Sequence, residues 1–319
     1  MGSRKLARET GLGLSAATIR NLMANLEEEG YIASPHTSAG REPTSKGYRF
    51  YVDTLLEKDT RTLLPQASFS SIWQGYDNPY VGAAEGLAQA SRLAGVVLRP
   101  SVMALPVLHL ALSPVEKGRV LVVFVRADHA VSSQVVRTEE NHHPASLRRA
   151  AAFFNEHLSG LCPLEALRLL ESEVAETARK LKSLLKVMVA NNGDEQEEAF
   201  VLTGEDHLLA AQDLASDIRA LRRLFNVLKE KTTLLRLMRS SAMHPGVQVA
   251  IGDELSLEGL SNVSLVLAPY QVGKTLAGTV AVLGPTRMAY QDMIQLVQTT
   301  ASRLGLCLSN ALLAAPRWN

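Results

Sequence analysis

The run Ser15-Ala-Ala-Thr18-Ile19-Arg20-Asn21 sets a guanidinium and a carboxamide on adjacent residues behind two alanines. An arginine can donate two parallel hydrogen bonds to a guanine edge, and an asparagine can pair at two points with an adenine. That chemistry needs both side chains on the outer face of a helix slim enough to enter a groove about 12 Å wide. On a helical wheel Ala17, Arg20, Asn21 and Ala24 lie together with Thr18 beside them. Ile19, Leu22, Met23 and Leu26 form the opposite stripe at i, i+3, i+4 and i+7 spacing. Ser15 precedes the helix as its N-cap, where its hydroxyl takes up an orphan N–H and the helix start can face a phosphate. Glu27, Glu28 and Glu29 crowd the far end, so the turns that can approach an anion are the carboxylate-free N-terminal ones. The plain alternative for Arg20 and Asn21 is an exposed helix surface with no partner.

Further candidates follow along the chain. His36, Thr37, Ser38 and Arg41 lie in a polar, turn-rich stretch over 34–43, where they can meet backbone phosphates or the minor groove. Phosphate contacts set position and do not read sequence. Lys46 and Arg49 are weaker candidates of the same kind, with a merely solvated charge as the alternative for each.

Other constellations fail on spacing. Gly273-Lys274-Thr275 suggests a nucleotide-binding loop, but that motif needs a glycine five residues before the last one and a helix after it. Ala268 stands at that place, and the following segment reads as a strand, which makes Lys274 a hairpin tip. The His142-His143 pair has no zinc-type partner spacing, and Cys162 and Cys307 are far apart in apolar contexts. No serine, cysteine or carboxylate constellation supports catalysis, so no enzymatic activity, cofactor or metal is expected.

The elements that must position Arg20 and Asn21 can be read from the same stretch. A helix over 3–10 should end at a left-handed Gly11, with a tight turn at 12–14. A second helix over 15–29 should close at Gly30, completing a helix-turn-helix. A short strand at 31–33, the loop at 34–43 and a helix from 44 or 45 carrying Tyr48, Tyr51, Val52 and Leu55 on one side complete a winged helix over 1–57. Residues 58–80 read as a linker. Beyond it come a helix at 84–93, strands at 107–112, 120–127 and 131–138, and helices at 147–158, 163–170 and 172–189. A solvated loop at 191–198 leads to a strand at 199–203 and a helix at 215–240. Strands at 246–251, 263–269 and 276–283 and a helix at 289–306 close the chain. Strands on both sides of a helical block suggest one sensor-like α/β domain with a helical insertion.

The bulk properties set bounds. With 319 residues the chain can hold two or three domains, and 46 % hydrophobic with 20 % charged residues is globular composition. No apolar run approaches the roughly 18–20 residues a membrane span needs, and the start is amphipathic, so a cytoplasmic protein is expected. The net charge of +1 is uninformative about nucleic acid, but residues 1–26 carry Arg4, Lys5, Arg8 and Arg20 against Glu9 alone.

Ser15 to Asn21, Pro35-His36-Thr37-Ser38-Ala39-Gly40-Arg41 with Pro43, and Lys46-Gly47-Tyr48-Arg49 resemble the HrcA family of heat-inducible transcription repressors. Gly284-Pro285-Thr286-Arg287-Met288 with Tyr290 resembles that family's terminal motif, so the resemblance spans nearly the whole chain. It implies an α+β multidomain fold: an N-terminal winged helix-turn-helix, and a GAF-like domain over 81–140 and 236–319 with a helix-rich dimerisation domain inserted over 141–235. It implies a homodimer on double-stranded DNA, repressing chaperone operons through an inverted-repeat operator. It also implies derepression on heat stress, with a GroEL-type chaperonin as partner. Family members carry a further helix upstream of a Val-Gly-Ser-Arg stretch, and here Met1 stands in the valine's place. The expectation is a valine codon read as initiator, which leaves out the helix that buttresses the recognition helix.

Three points stay open at this level. The leucine-rich helices at 163–189 and 215–240 are either plain core or the dimer surface, and the insertion is the better dimer candidate. Gly284 to Arg287 is a turn into the last helix or a subunit or domain contact. The competing functions are a winged-helix regulator controlled by a small ligand in its GAF-like domain, and a nucleotide-dependent enzyme built on Lys274.

Overall fold

The computed structural model describes residues 2–9, 11, 13–34, 40–57, 76, 78–100, 105–128, 130–138, 141–171, 175–191, 200–211, 214, 218–229, 235, 238, 246–256, 260–273 and 275–314. Among these the chain is a mixed α/β protein with three antiparallel sheets. The first sheet is the two-stranded ribbon of β1 (Ile32–Ala33) and β2 (Glu42–Pro43). It follows α1 (Ser3–Glu9) and α2 (Ala16–Glu28) and precedes α3 (Ser45–Glu57).

The second sheet has five strands: β3 (Ala94–Leu98), β7 (Phe200–Thr203), β8 (Gln248–Ile251), β9 (Val263–Val272) and β10 (Thr275–Pro285). Their order is β7-β3-β10-β9-β8 and each neighbouring pair is antiparallel. One face packs on α4 (Pro79–Ser91), the closing helix α10 (Tyr290–Ala314) and Val52 of α3. The other face packs on Leu208 of α8 (Glu205–Ala210) and on Leu224 and Leu228 of α9 (Ile218–Lys229). Strand β3 was not legible in the sequence. All five of its residues are buried, so it lacks the alternation of a half-exposed strand, and a short apolar run after a helix cannot be told from helix by periodicity.

The third sheet, β4 (Val107–Glu116), β5 (Arg119–Arg126) and β6 (Val131–Arg137), pairs in that order. The sequence groups these strands with the C-terminal ones. Their core lies elsewhere: Leu110, Leu112, Val120, Val122, Phe124 and Val136 pack on α5 (Pro144–His157) and α7 (Glu176–Asn191), joined by α6 (Pro163–Leu169). Conversely β7, expected inside the helical insertion, is hydrogen-bonded to β3. Composition cannot assign a strand to one of two sheets, because pairing is decided by long-range register. His143 has a local role, capping α5 with Nδ1 3.2 Å from the Ala145 amide. The residues at 58–75 and 77, most of the expected linker, lie outside the described residues, as do 192–199 and Lys274. Gly273, at φ +62°, turns the β9–β10 hairpin, and a strand, not a helix, follows.

Tyr80 on α4 donates to Asp128 at 3.0 Å and so ties the five-stranded unit to the hairpin of the three-stranded one. Burial, with Tyr270 and Asp128 nearby, drives the Tyr80 hydroxyl far above its ordinary pKa. Burial also raises Tyr270 strongly, and it lifts Tyr290 to about 12 against the lowering effect of its Ser264 hydrogen bond. An unfolded tyrosine titrates near about 10. The folded state therefore holds these protons longer, so stability is unaffected below about pH 10 and falls as pH rises from there through 12. Tyr290 alone should account for on the order of 2 kcal/mol by pH 12. Thermal unfolding from pH 8 to 11.5 checks this, and Tyr290→Phe should shallow the alkaline slope.

Candidate nucleic-acid interface

The helix bearing Arg20 and Asn21 is built by local rules at both ends. Ser15 is extended (φ −65°, ψ 152°), and its Oγ accepts from the Thr18 amide at 3.1 Å and lies 2.9 Å from the Thr18 hydroxyl. At the other end Gly30 adopts φ +77°, its N–H reaches the Glu27 carbonyl at 3.0 Å, and that of Tyr31 reaches Leu26 at 2.8 Å. This is a Schellman closure, which needs a residue tolerant of left-handed backbone.

Ala17, Thr18, Arg20 and Asn21 are all exposed, and Ala24 is half-buried. Among the described residues, Arg20 and Asn21 have no side-chain hydrogen bond or ion pair. The opposite stripe divides: Ile19 and Met23 are buried, but Leu22 and Leu26 are 47 % and 42 % exposed. The helical wheel puts all four on one face, and the described residues cover two of them.

His36, Thr37 and Ser38, expected on a wing, lie outside the described residues. The remaining expected cations turn toward the protein. Arg41 brings Nε and Nη2 within 2.6 Å of Glu27 Oε2. Lys46 donates to the Glu29 carbonyl at 2.7 Å, a cation at a helix C-terminus, and sits 4.5 Å from the centroid of the Tyr31 ring. Arg49 Nη2 donates to the Val249 carbonyl at 2.6 Å and to Glu254 at 3.0 Å, while Nη1 is 3.2 Å from Asp53. Thus the pair expected to read bases stands open, and three of the expected phosphate contacts have internal partners.

The third helix is set on the ribbon by Thr44. Its hydroxyl donates to the Gly30 carbonyl at 2.7 Å and accepts from the Gly47 amide at 3.2 Å. Gly47 sits so close to the ribbon that a Cβ there would lie 2.2 Å from the Tyr31 carbonyl oxygen. On the far side Val52 is fully buried in the sheet's core, while Tyr51, expected beside it, is exposed. The Tyr48 and Tyr290 rings meet at 5.5 Å, and Arg287 pairs with Glu42. Glu42, Glu254 and Glu27 carried no signal as partners. Only the Glu27–Arg41 pair, 14 residues apart, joins neighbouring elements; the other two span 205 and 245 residues.

Comparison with known proteins finds relatives over nearly the whole chain. Residues 81–294 match the family model described as the HrcA protein C-terminal domain. The chain is 36 % identical over 314 residues to the heat-inducible transcription repressor HrcA of Methylobacillus flagellatus, covering 97 % of this chain and 93 % of that protein. A crystal structure described as that of a hypothetical protein is similar at a TM-score of 0.63 and 24 % identity, covering 98 % and 93 % of the two chains. That last likeness concerns the fold alone.

Proposed function

Since the chain belongs to the HrcA family of heat-inducible transcription repressors, and so is a negative regulator of heat-shock transcription and not an enzyme, we propose that it acts as a homodimer on an inverted-repeat operator of chaperone genes. The observation that carries the proposal is the open pair Arg20 and Asn21 on the first turns of a capped helix, flanked by Ala17 and Thr18. In helix-turn-helix docking it is the N-terminal part of the recognition helix that meets base edges. In this reading Ser15 and Thr18 meet phosphate beside it, and His36, Thr37 and Ser38 do so from the wing. Arg41 and Lys46 shape the module from within, and Arg49 ties it to the five-stranded sheet.

The proposed division of the chain is a winged helix over 1–57, a linker over 58–80, a GAF-like domain and an inserted module. The five-stranded order β7-β3-β10-β9-β8 with helices on both faces supports the GAF-like reading. The shared core of β4–β6 with α5–α7 supports an inserted module of about 105–191. The leucines of α7 and α9 are core residues, which favours a dimer surface on the outer face of the three-stranded sheet. Leu121, Val123 and Val125 run along its middle strand, flanked by Ala111 on one side and by Val131 and Val135 on the other. Val131 is 67 % exposed. A second copy of the same face would cover this patch, and two copies would present two recognition helices about 34–36 Å apart on one side of a duplex. The protein works in the cytoplasm, and a GroEL-type chaperonin governs how much of it is active.

Fluorescence anisotropy across a salt series tests the operator reading, with an inverted-repeat duplex from upstream of a chaperonin operon and a scrambled duplex. A preference of about 10³-fold or more, with affinity falling steeply as salt rises, is expected. Equal weak binding to both duplexes would remove the operator from the account.

A further inference from the structure

We propose that Arg49, Glu42 and Arg287 are positioning residues that lock the reading head onto the five-stranded sheet and so set the separation of the two heads in the dimer. The inference rests on the operator reading above and extends it to side chains that touch no DNA.

Two straps make the joint. The first is the pair of neighbours at the root of the wing. Arg41 binds Glu27 of the recognition helix, and Glu42 binds Arg287 in the turn after β10. Consecutive residues of an extended segment point to opposite sides, so this short stretch is held by the recognition helix on one side and by the sheet on the other. The turn that carries Arg287 is itself fixed. The Thr286 amide donates to the Asn262 carbonyl at 2.9 Å, and the Tyr290 hydroxyl donates to the Thr286 carbonyl at 2.9 Å while lying 3.0 Å from Ser264 Oγ. Segments from opposite ends of the sequence, around Glu42 and Arg287, thus meet at one contact.

The second strap is Arg49. Its guanidinium spans from α3 to the Val249 carbonyl and the Glu254 carboxylate, and Glu254 is anchored by accepting the Ile251 amide at 2.9 Å. Val52, one turn along α3, is buried in the core that contains Ile251 and Tyr290. The apolar contact holds the module against the sheet, and the two straps choose its angle. Half-exposed ion pairs add little to global stability, so a role in orientation accounts for three groups aligned on one joint better than a role in folding. The consequence is felt only by a dimer on two half-sites. A head at a fixed separation meets its second half-site at high effective concentration, whereas a loose head does not, and a single half-site makes no such demand.

The test uses the full chain and a duplex that the wild type selects from a randomised pool, prepared both as the inverted repeat and as one half-site. The readout is the ratio of affinities for the two, which cancels any general effect of altered charge. Glu42→Arg and Arg287→Glu should each lower that ratio by about tenfold. The double swap should restore it to within about twofold, and the melting temperature should stay near wild type. Arg49→Ala should lower the ratio similarly and leave the salt slope unchanged. Three outcomes overturn the proposal: losses equal on both duplexes, a double swap no better than the singles, or a salt slope reduced by about one for Arg49→Ala, which marks a phosphate contact. A wild type that selects no repeat would instead refute the operator reading, and the positioning role with it.

Discussion

Arg20→Ala and Asn21→Ala should each cost about 1–3 kcal/mol of operator binding, roughly tenfold to a hundredfold, with little change in affinity for a scrambled duplex. The discriminating quantity is the difference between the two duplexes. A side chain that reads a base edge loses its partner only at the right sequence, whereas a phosphate contact weakens every sequence alike. Both residues are exposed and make no internal side-chain bond among the described residues, so truncation leaves no group stranded and the fold should melt as before. Selection of preferred sites by each variant adds a second readout: specificity should relax at the base pair that the missing side chain met. If both variants kept the wild-type preference, α2 would not be the reading element, whatever the family.

Val123→Glu should convert the proposed dimer to a monomer and weaken binding to a full inverted repeat by a hundredfold or more, on the order of what bivalence contributes. Val123 sits at the middle of the middle strand, opposite Ala111 and Ser133, on the face away from the core of α5 and α7. A carboxylate there faces water in the single chain and meets its own copy in a dimer, where two like charges would be desolvated together. Half-site affinity should be unchanged. Sedimentation velocity settles the state of assembly. A variant that stays dimeric would move the dimer surface elsewhere, and the exposed Leu164 and Leu169 of α6 would be the next residues to examine.

The helix that carries Arg20 and Asn21, and its local setting, were legible in the sequence. Ser15 as cap, Gly30 as left-handed terminator, Thr44 at the start of α3 and the outward Arg20 and Asn21 are decided within a few residues, by hydrogen-bond geometry and helical periodicity. The order of most elements was legible for the same reason. The wheel was less reliable for Leu22 and Leu26, because a stripe says which residues share a face and not what covers it. Tertiary structure decided the rest. It placed β7 beside β3, gave β4–β6 a core of their own with the helices, and buried the leucines of α7 and α9. It turned Arg49 toward Glu254 and Arg287 toward Glu42. A charged side chain's partner depends on distances in space that have no counterpart in local spacing. A cation near a recognition helix therefore looks the same in sequence whether it meets a phosphate or holds the module in place.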